Sequence, residues 1–103
     1  MDSQSNKLIH FAATCESPGP LKLLLEKGAS VFDLNVYKRT ALHNAAITGR
    51  AENITVILNN QSSVFKMRDK TNLTAFTYAL NRGEIAPIKA FLDSGVVKIN
   101  TGQ

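Results

Sequence analysis

A chain of 103 residues, 44% hydrophobic and 19% charged, is long enough for one small folded domain and too apolar for a disordered one. Its net charge of +4 suits acidic partners, and its single cysteine, Cys15, excludes an internal disulfide or a zinc site built from cysteines. The apolar runs are far too short to cross a bilayer, and the polar opening Met1-Asp2-Ser3-Gln4-Ser5-Asn6 is unlike a secretory leader, so no membrane partner is expected.

Residues 1–6 read as a flexible tail. Leu8, Ile9, Ala12 and Ala13 then follow the spacing of one helical face, which predicts a helix from Leu8 to Cys15. Its two alanines would let a neighbouring helix approach closely. Ser17-Pro18-Gly19-Pro20 interrupts the pattern, and Leu21, Leu24 and Leu25 resume it. Proline costs little in an opening turn, where its missing N–H has no intrahelical partner, and Gly28 closes the helix. Val31, Phe32, Leu34, Val36 and Tyr37 are scattered among polar residues from Ala29 to Arg39, a pattern that predicts a short hairpin.

The sequence then repeats itself. A helix over Ala41 to Thr48, a turn at Gly49 and a helix over Ala51 to Asn60 reproduce the first unit at an offset of 33. Gln61 falls where Gly28 stood, so this helix end needs a different cap or bears strain. The segment Gln61 to Leu73 is one residue longer than its counterpart, and the extra residue is expected to bulge the hairpin. Ala75 to Arg82 and Ile85 to Ser94 supply a third pair, with Pro87 matching Pro20 and Gly95 at the close. Val96 to Gln103 begins a further hairpin. A period of 33 to 34 residues means stacked units, placed at 7–35, 36–68 and 69–100, with 101–103 as a tail or truncated continuation.

The run Thr40-Ala-Leu-His-Asn-Ala-Ala-Ile-Thr-Gly49, followed by Ile54, Ile57 and Leu58, resembles the ankyrin repeat, T-P-L-H-x-A-A-x-x-G and then I/V-V-x-x-L-L-x-x-G-A. The first unit keeps Leu8, Ile9, His10, Ala12, Ala13, Leu24, Leu25, Gly28 and Ala29, with Glu16 at the turn glycine. The third keeps Thr74, Phe76, Ala79, Gly83, Ile88, Leu92 and Gly95, with Thr77 for the histidine and Leu80 for the second alanine. The resemblance implies an all-α repeat solenoid, a stack of helix-turn-helix units joined by short hairpin loops. It implies structural roles for His10, Thr40, His43, Gly49, Thr74 and Gly83, and no catalysis.

By the same resemblance, a partner protein binds the concave face made from loop tips and first helices. In this sequence that strip comprises Phe11, Asn44, Ile47, Tyr78 and Arg82 on the helices and Tyr37, Lys38, Arg39, Arg68 and Lys70 in the loops. Lys38, Arg39, Lys66, Arg68 and Lys70 concentrate positive charge in the loop segments beside Asp69. Such an edge can steer an acidic or mixed partner surface, or it can simply keep loop edges solvated. Nucleic acid is an alternative partner, opposed by the lack of a basic run or aromatic stacking platform. Self-assembly through weakly capped ends is another, since Leu8, Ile9, Val96, Val97 and Ile99 stay apolar there.

Phosphate loops, nucleophile elbows and paired carboxylates are missing from the sequence, so no cofactor or enzyme activity is expected. His10 and His43 recur at the repeat period without carboxylate or cysteine neighbours, which disfavours a metal site. The N-x-Ser/Thr triplets at Asn53, Asn60 and Asn72 read as accidental. The expected setting is intracellular, cytoplasmic or nuclear, with delivery into a host cell left open.

Overall fold

Among the described residues no helix exceeds ten residues, a length at which an isolated helix is marginal in water. Stability therefore has to come from packing. The computed structural model describes residues 7–97, which form Leu8–Ala12 (α1), Gly19–Glu26 (α2), Ala41–Thr48 (α3), Ala51–Asn60 (α4), Ala75–Arg82 (α5) and Ile85–Ser94 (α6). These make three antiparallel pairs stacked side by side, with no strand among the described residues. The tail expected at residues 1–6 and most of the hairpin expected over Val96 to Gln103 lie outside them.

The stack follows from where the small and branched residues fall. α3 packs against both α1 and α5, and α4 against both α2 and α6. The middle pair accordingly buries Ala41, Leu42, Ala45, Ala46, Ile54 and Ile57 completely. Each of the larger three contributes about 1.5–3 kcal/mol by leaving water. Ala12, Ala13, Ala45 and Ala46 are all buried, which lets the first helices lie close together. Between the second and third units the filling is aromatic: Phe76 and Phe91 lie 5.2 Å apart by ring centroid, with Phe65 5.9 Å from Phe91.

Polar pins cross each junction. Nδ1 of His43 accepts the Thr40 N–H at 3.1 Å, so its proton resides on Nε2, which donates to the Leu73 carbonyl at 3.0 Å in the next loop. His10 repeats the device, accepting the Lys7 N–H at 3.0 Å and donating to the Arg39 carbonyl at 2.9 Å. In the third unit Thr77 stands in the histidine's place, and its hydroxyl pairs locally with that of Thr74 at 3.2 Å.

The first helix is shorter than its periodicity predicts, ending at Ala12 rather than Cys15. Glu16 occupies the place where α3 and α5 end on left-handed Gly49 and Gly83, so the chain leaves α1 through successive turns. The carbonyls thus freed are taken up from α4. Asn53 Nδ2 donates to the carbonyls of Ala13 and Cys15, both at 2.9 Å, and Nε of Arg50, which precedes α4, donates to that of Thr14 at 2.9 Å. Asn53, read from sequence as an accidental triplet, is a buried junction residue.

The loops, expected as short hairpins, are tight turns organised by one side chain each, with no strand among the described residues. Asn35 Oδ1 accepts the N–H groups of Tyr37 and Arg39 at 2.9 and 3.1 Å. Asp69 Oδ1 does the same for Thr71 and Leu73 at 3.0 and 3.1 Å. The fourth residue of each turn, Lys38 or Asn72, is left-handed, with φ of 59° and 68°. The extra residue of the second loop does not bulge a hairpin. It is absorbed beside a 3-10 helix, Ser62–Lys66, that follows α4 directly. Gln61 is extended at φ −148° and bears no left-handed strain.

Asp69 also ties two units together. Its Oδ2 accepts the Arg39 Nε–H at 3.3 Å and the Tyr78 hydroxyl. Burial opposes its charge, but the hydrogen bonds from Thr71, Tyr78, the Leu73 N–H and Arg39 prevail and hold its carboxyl well below the usual range. Asp69→Asn is expected to cost about 2–4 kcal/mol in urea unfolding, because it leaves Arg39 without its counter-charge. The wild-type protein should also lose stability as pH falls below about 4, where the unfolded carboxyl takes up a proton that the folded one refuses. That acid limb should be shallower in the variant.

His43 gives a second pH signature. Burial, above all, lowers its pKa below the ordinary value. The unfolded chain therefore binds a proton near pH 6.5 that the folded chain does not, so this contribution is full above that pH and declines below it. A fall of up to about 1.4 kcal/mol per pH unit is expected below pH 6.5. His43→Gln should reduce that slope, and an unchanged slope would remove His43 as its source.

Candidate functional site

The same turns and helices that pin the stack present one continuous side of it. Lys70 N–H donates to the Tyr37 carbonyl at 2.8 Å, holding the two loop tips together. Behind them, between α1 and α3, lies a cleft of about 330 Å3 whose lining includes Phe11, Thr14, Arg39, Asn44, Ile47 and Thr48. Four of the residues singled out from sequence, Phe11, Arg39, Asn44 and Ile47, thus surround one cavity.

Its lining mixes apolar side chains with polar groups, most of which are already occupied. The Thr14 hydroxyl donates to the Phe11 carbonyl at 2.7 Å, and that of Thr48 to the Asn44 carbonyl at 2.8 Å. His10, at the cleft's edge, has both ring nitrogens engaged. Asn44 Oδ1 is buried without a hydrogen-bond partner. Phe11 is half-exposed and presents the largest apolar surface. Such a cleft can seat an apolar side chain, but it places no base beside a nucleophile.

Arg39 marks the boundary of this cleft and belongs to a second group. Its guanidinium lies over the rings of Tyr37 and Tyr78, 4.9 and 5.4 Å from their centroids, while its Nη2 donates to the Tyr78 hydroxyl at 3.3 Å. The Tyr78 ring also meets His43 edge-on at 6.1 Å. Arg39 and Tyr78 therefore hold tips to helices, and the charge of Arg39 is met inside the molecule by Asp69.

The basic edge is correspondingly narrower than the loop composition suggests. Lys38, Lys66, Arg68 and Lys70 are exposed, and Arg68 Nη1 reaches across its own loop to the Asn72 carbonyl at 3.0 Å. Arg82 lies elsewhere, at the C-terminal end of α5. There it donates to the Ile47 carbonyl at 2.9 Å and pairs with Glu84 at 2.8 Å, beside left-handed Gly49.

Sequence reasoning missed Asn35, Asp69, Arg50 and Asn53. Asn35 and Asp69 are 34 residues apart, so the repeat offset itself carried a signal for the turn pair. Among the described residues, no cluster of His, Cys, Asp or Glu could hold a metal ion, and no helix is long and apolar enough to cross a membrane.

Comparison with known proteins agrees with this architecture. The family described as ankyrin repeats (many copies) matches residues 21–58, which run from within α2 of the first unit to within α4 of the second. The chain is similar to FPV223, a protein of fowlpox virus (strain NVSL) named for ankyrin repeats, at 30% identity over 94 residues. It is also similar to the transient receptor potential cation channel subfamily A member 1 homolog of Caenorhabditis elegans, at 31% identity over 98 residues. Those alignments cover 91% and 95% of this chain, which spans 64% of the viral protein and 8% of the channel homolog. Ankyrin repeats generally bind other proteins and do not catalyse reactions. Residues 21–58 thus match the ankyrin-repeat family, and the three stacked helix pairs of the described residues share its helix-turn-helix architecture.

Proposed function

We propose that this chain is a non-catalytic recognition module that binds one partner protein across its loop tips and first helices. The observation that carries this reading is the cleft between α1 and α3, which gathers Phe11 and Ile47 and ends at Arg39, the chain neighbour of exposed Lys38. Apolar or aromatic side chains of the partner enter the cleft, and acidic groups lie over Lys38 and Lys70. Two features favour a surface shaped before the partner arrives. Asn35 and Asp69 fix the turns from within, and Arg39 is clamped between two tyrosines, so little loop entropy is lost on binding.

The backbone of Lys38 supports the same assignment. A non-glycine residue at φ 59° costs roughly 1–2 kcal/mol, and strain of this kind gathers at binding sites. The module acts inside a cell, in cytoplasm or nucleus, in keeping with its lone, unpaired cysteine.

Charge and apolar contact should separate kinetically once a partner has been captured and purified. Lys38→Glu with Lys70→Glu is expected to slow association about tenfold at low salt and to flatten its salt dependence. Phe11→Ala with Ile47→Ala should leave association nearly unchanged and speed dissociation by about tenfold or more. If surface plasmon resonance showed both pairs binding like the parent chain, this face would not be the interface.

A further inference from the structure

The offsets of 33 and 34 residues give each position in the first unit an equivalent in the second and third. At the outer face of α1 and α2, Leu8 is 72% exposed and Leu23 53%. The equivalents of Leu8 are Ala41 and Ala75, at 0% and 1%, and the third-unit equivalent of Leu23 is Ala90, at 9%. The Leu8 position is thus covered inside the stack and bare at its start, and the Leu23 position passes from bare to half-buried at Val56 and buried at Ala90. What covers them is the preceding unit, since α3 packs on α1 and α5 on α3.

The opposite end carries the complementary half. Ala13 and Ala46, which face the following unit, are both fully buried, whereas their equivalent Leu80 is 50% exposed. Ile9 and Leu42 are likewise buried, and their equivalent Phe76 is only half-buried. Between α1 and α2 an apolar groove of about 300 Å3, lined by Leu8, Phe11, Pro20 and Leu23 among others, is open to receive such side chains.

We propose that these two ends are halves of one interface, and that a second copy of this chain stacks head to tail, its α5–α6 end on the α1–α2 end of the first. The occupant follows from continuity with the internal junctions, which the chain already forms twice between the same two kinds of face. The intermolecular junction is the weaker one. Pro20 supplies no donor where Asn53 pins three carbonyls, and Thr77 cannot reach forward as His10 and His43 do. Leucines at alanine positions also hold the copies farther apart than units within a chain. Association is therefore reversible, and because the two faces differ it adds copies in an open row.

Single-face variants test this directly. Leu8→Glu with Leu23→Glu blocks the start, and Leu80→Glu blocks the end; all three positions are exposed, so urea midpoints should match the parent chain. In sedimentation velocity from about 5 to about 500 µM, the parent's average mass should climb past that of a dimer. Each variant alone should remain monomeric. An equimolar mixture of the two should give a dimer and nothing larger, because each then lends its one intact face. A parent chain that is monomeric throughout would overturn the proposal, as would a monomeric mixture or a variant that dimerises by itself.

Discussion

A helix pair of about thirty residues has two sides to bury and can cover neither alone, so everything in this chain depends on how one pair is fastened to the next. Apolar burial supplies most of the energy, but it is indifferent to register. Register is set by donors that cross the junction: His10 and His43 forward into the next loop, Asn53 and Arg50 back to the end of α1. Each satisfies a backbone carbonyl that would otherwise be orphaned beside a neighbour, at a cost of about 1–3 kcal/mol. A one-residue slip would strand those carbonyls as well as misplace the alanines.

The proposed binding face is a by-product of this fastening. Because Asp69 closes its own turn with one oxygen and takes Arg39 and Tyr78 with the other, the second loop, the first loop's last residue and the first helix of the third unit move as one body. Interfaces that start rigid lose less entropy when they bind. The same economy removes Arg39 from the positive edge. In the proposed interface, its loss leaves the tip lysines to carry long-range attraction, while the cleft, with its hydroxyls and imidazole already engaged, offers Phe11 and Ile47 for apolar contact.

How far the structure could be read in advance depended on the distance over which each feature is decided. α2 to α6 were legible because apolar spacing, the Thr40 cap and the glycines at 49, 83 and 95 act within one or two turns of helix. The end of α1 was not, because the donors replacing its missing glycine come from 36 to 40 residues away. The turns were read as short hairpins because Val31, Phe32, Leu34, Val36 and Tyr37 are residues at home in strands. Val31 and Val64 are in fact buried beneath the helices, and Asn35 and Asp69 do the turning. On the face itself, residue types were enough to nominate Phe11, Asn44 and Ile47, which meet at one cleft. They could not reveal that the charge of Arg39 is met by an aspartate thirty positions on.

The third unit is where the motif decays, and its losses are of one kind. Thr77 gives up the forward-reaching imidazole, and Leu80 replaces an alanine that elsewhere admits the next helix. Both changes touch only the side facing away from the stack. On the side facing the second unit, Ala75, Ala79, Pro87 and Phe91 are buried, and Arg82 donates to the Ile47 carbonyl. A repeat degraded at random would lose inward and outward features alike. The asymmetry means that α5 and α6 are shaped to complete the unit before them, and among the described residues Thr77 does not reach forward as His10 and His43 do.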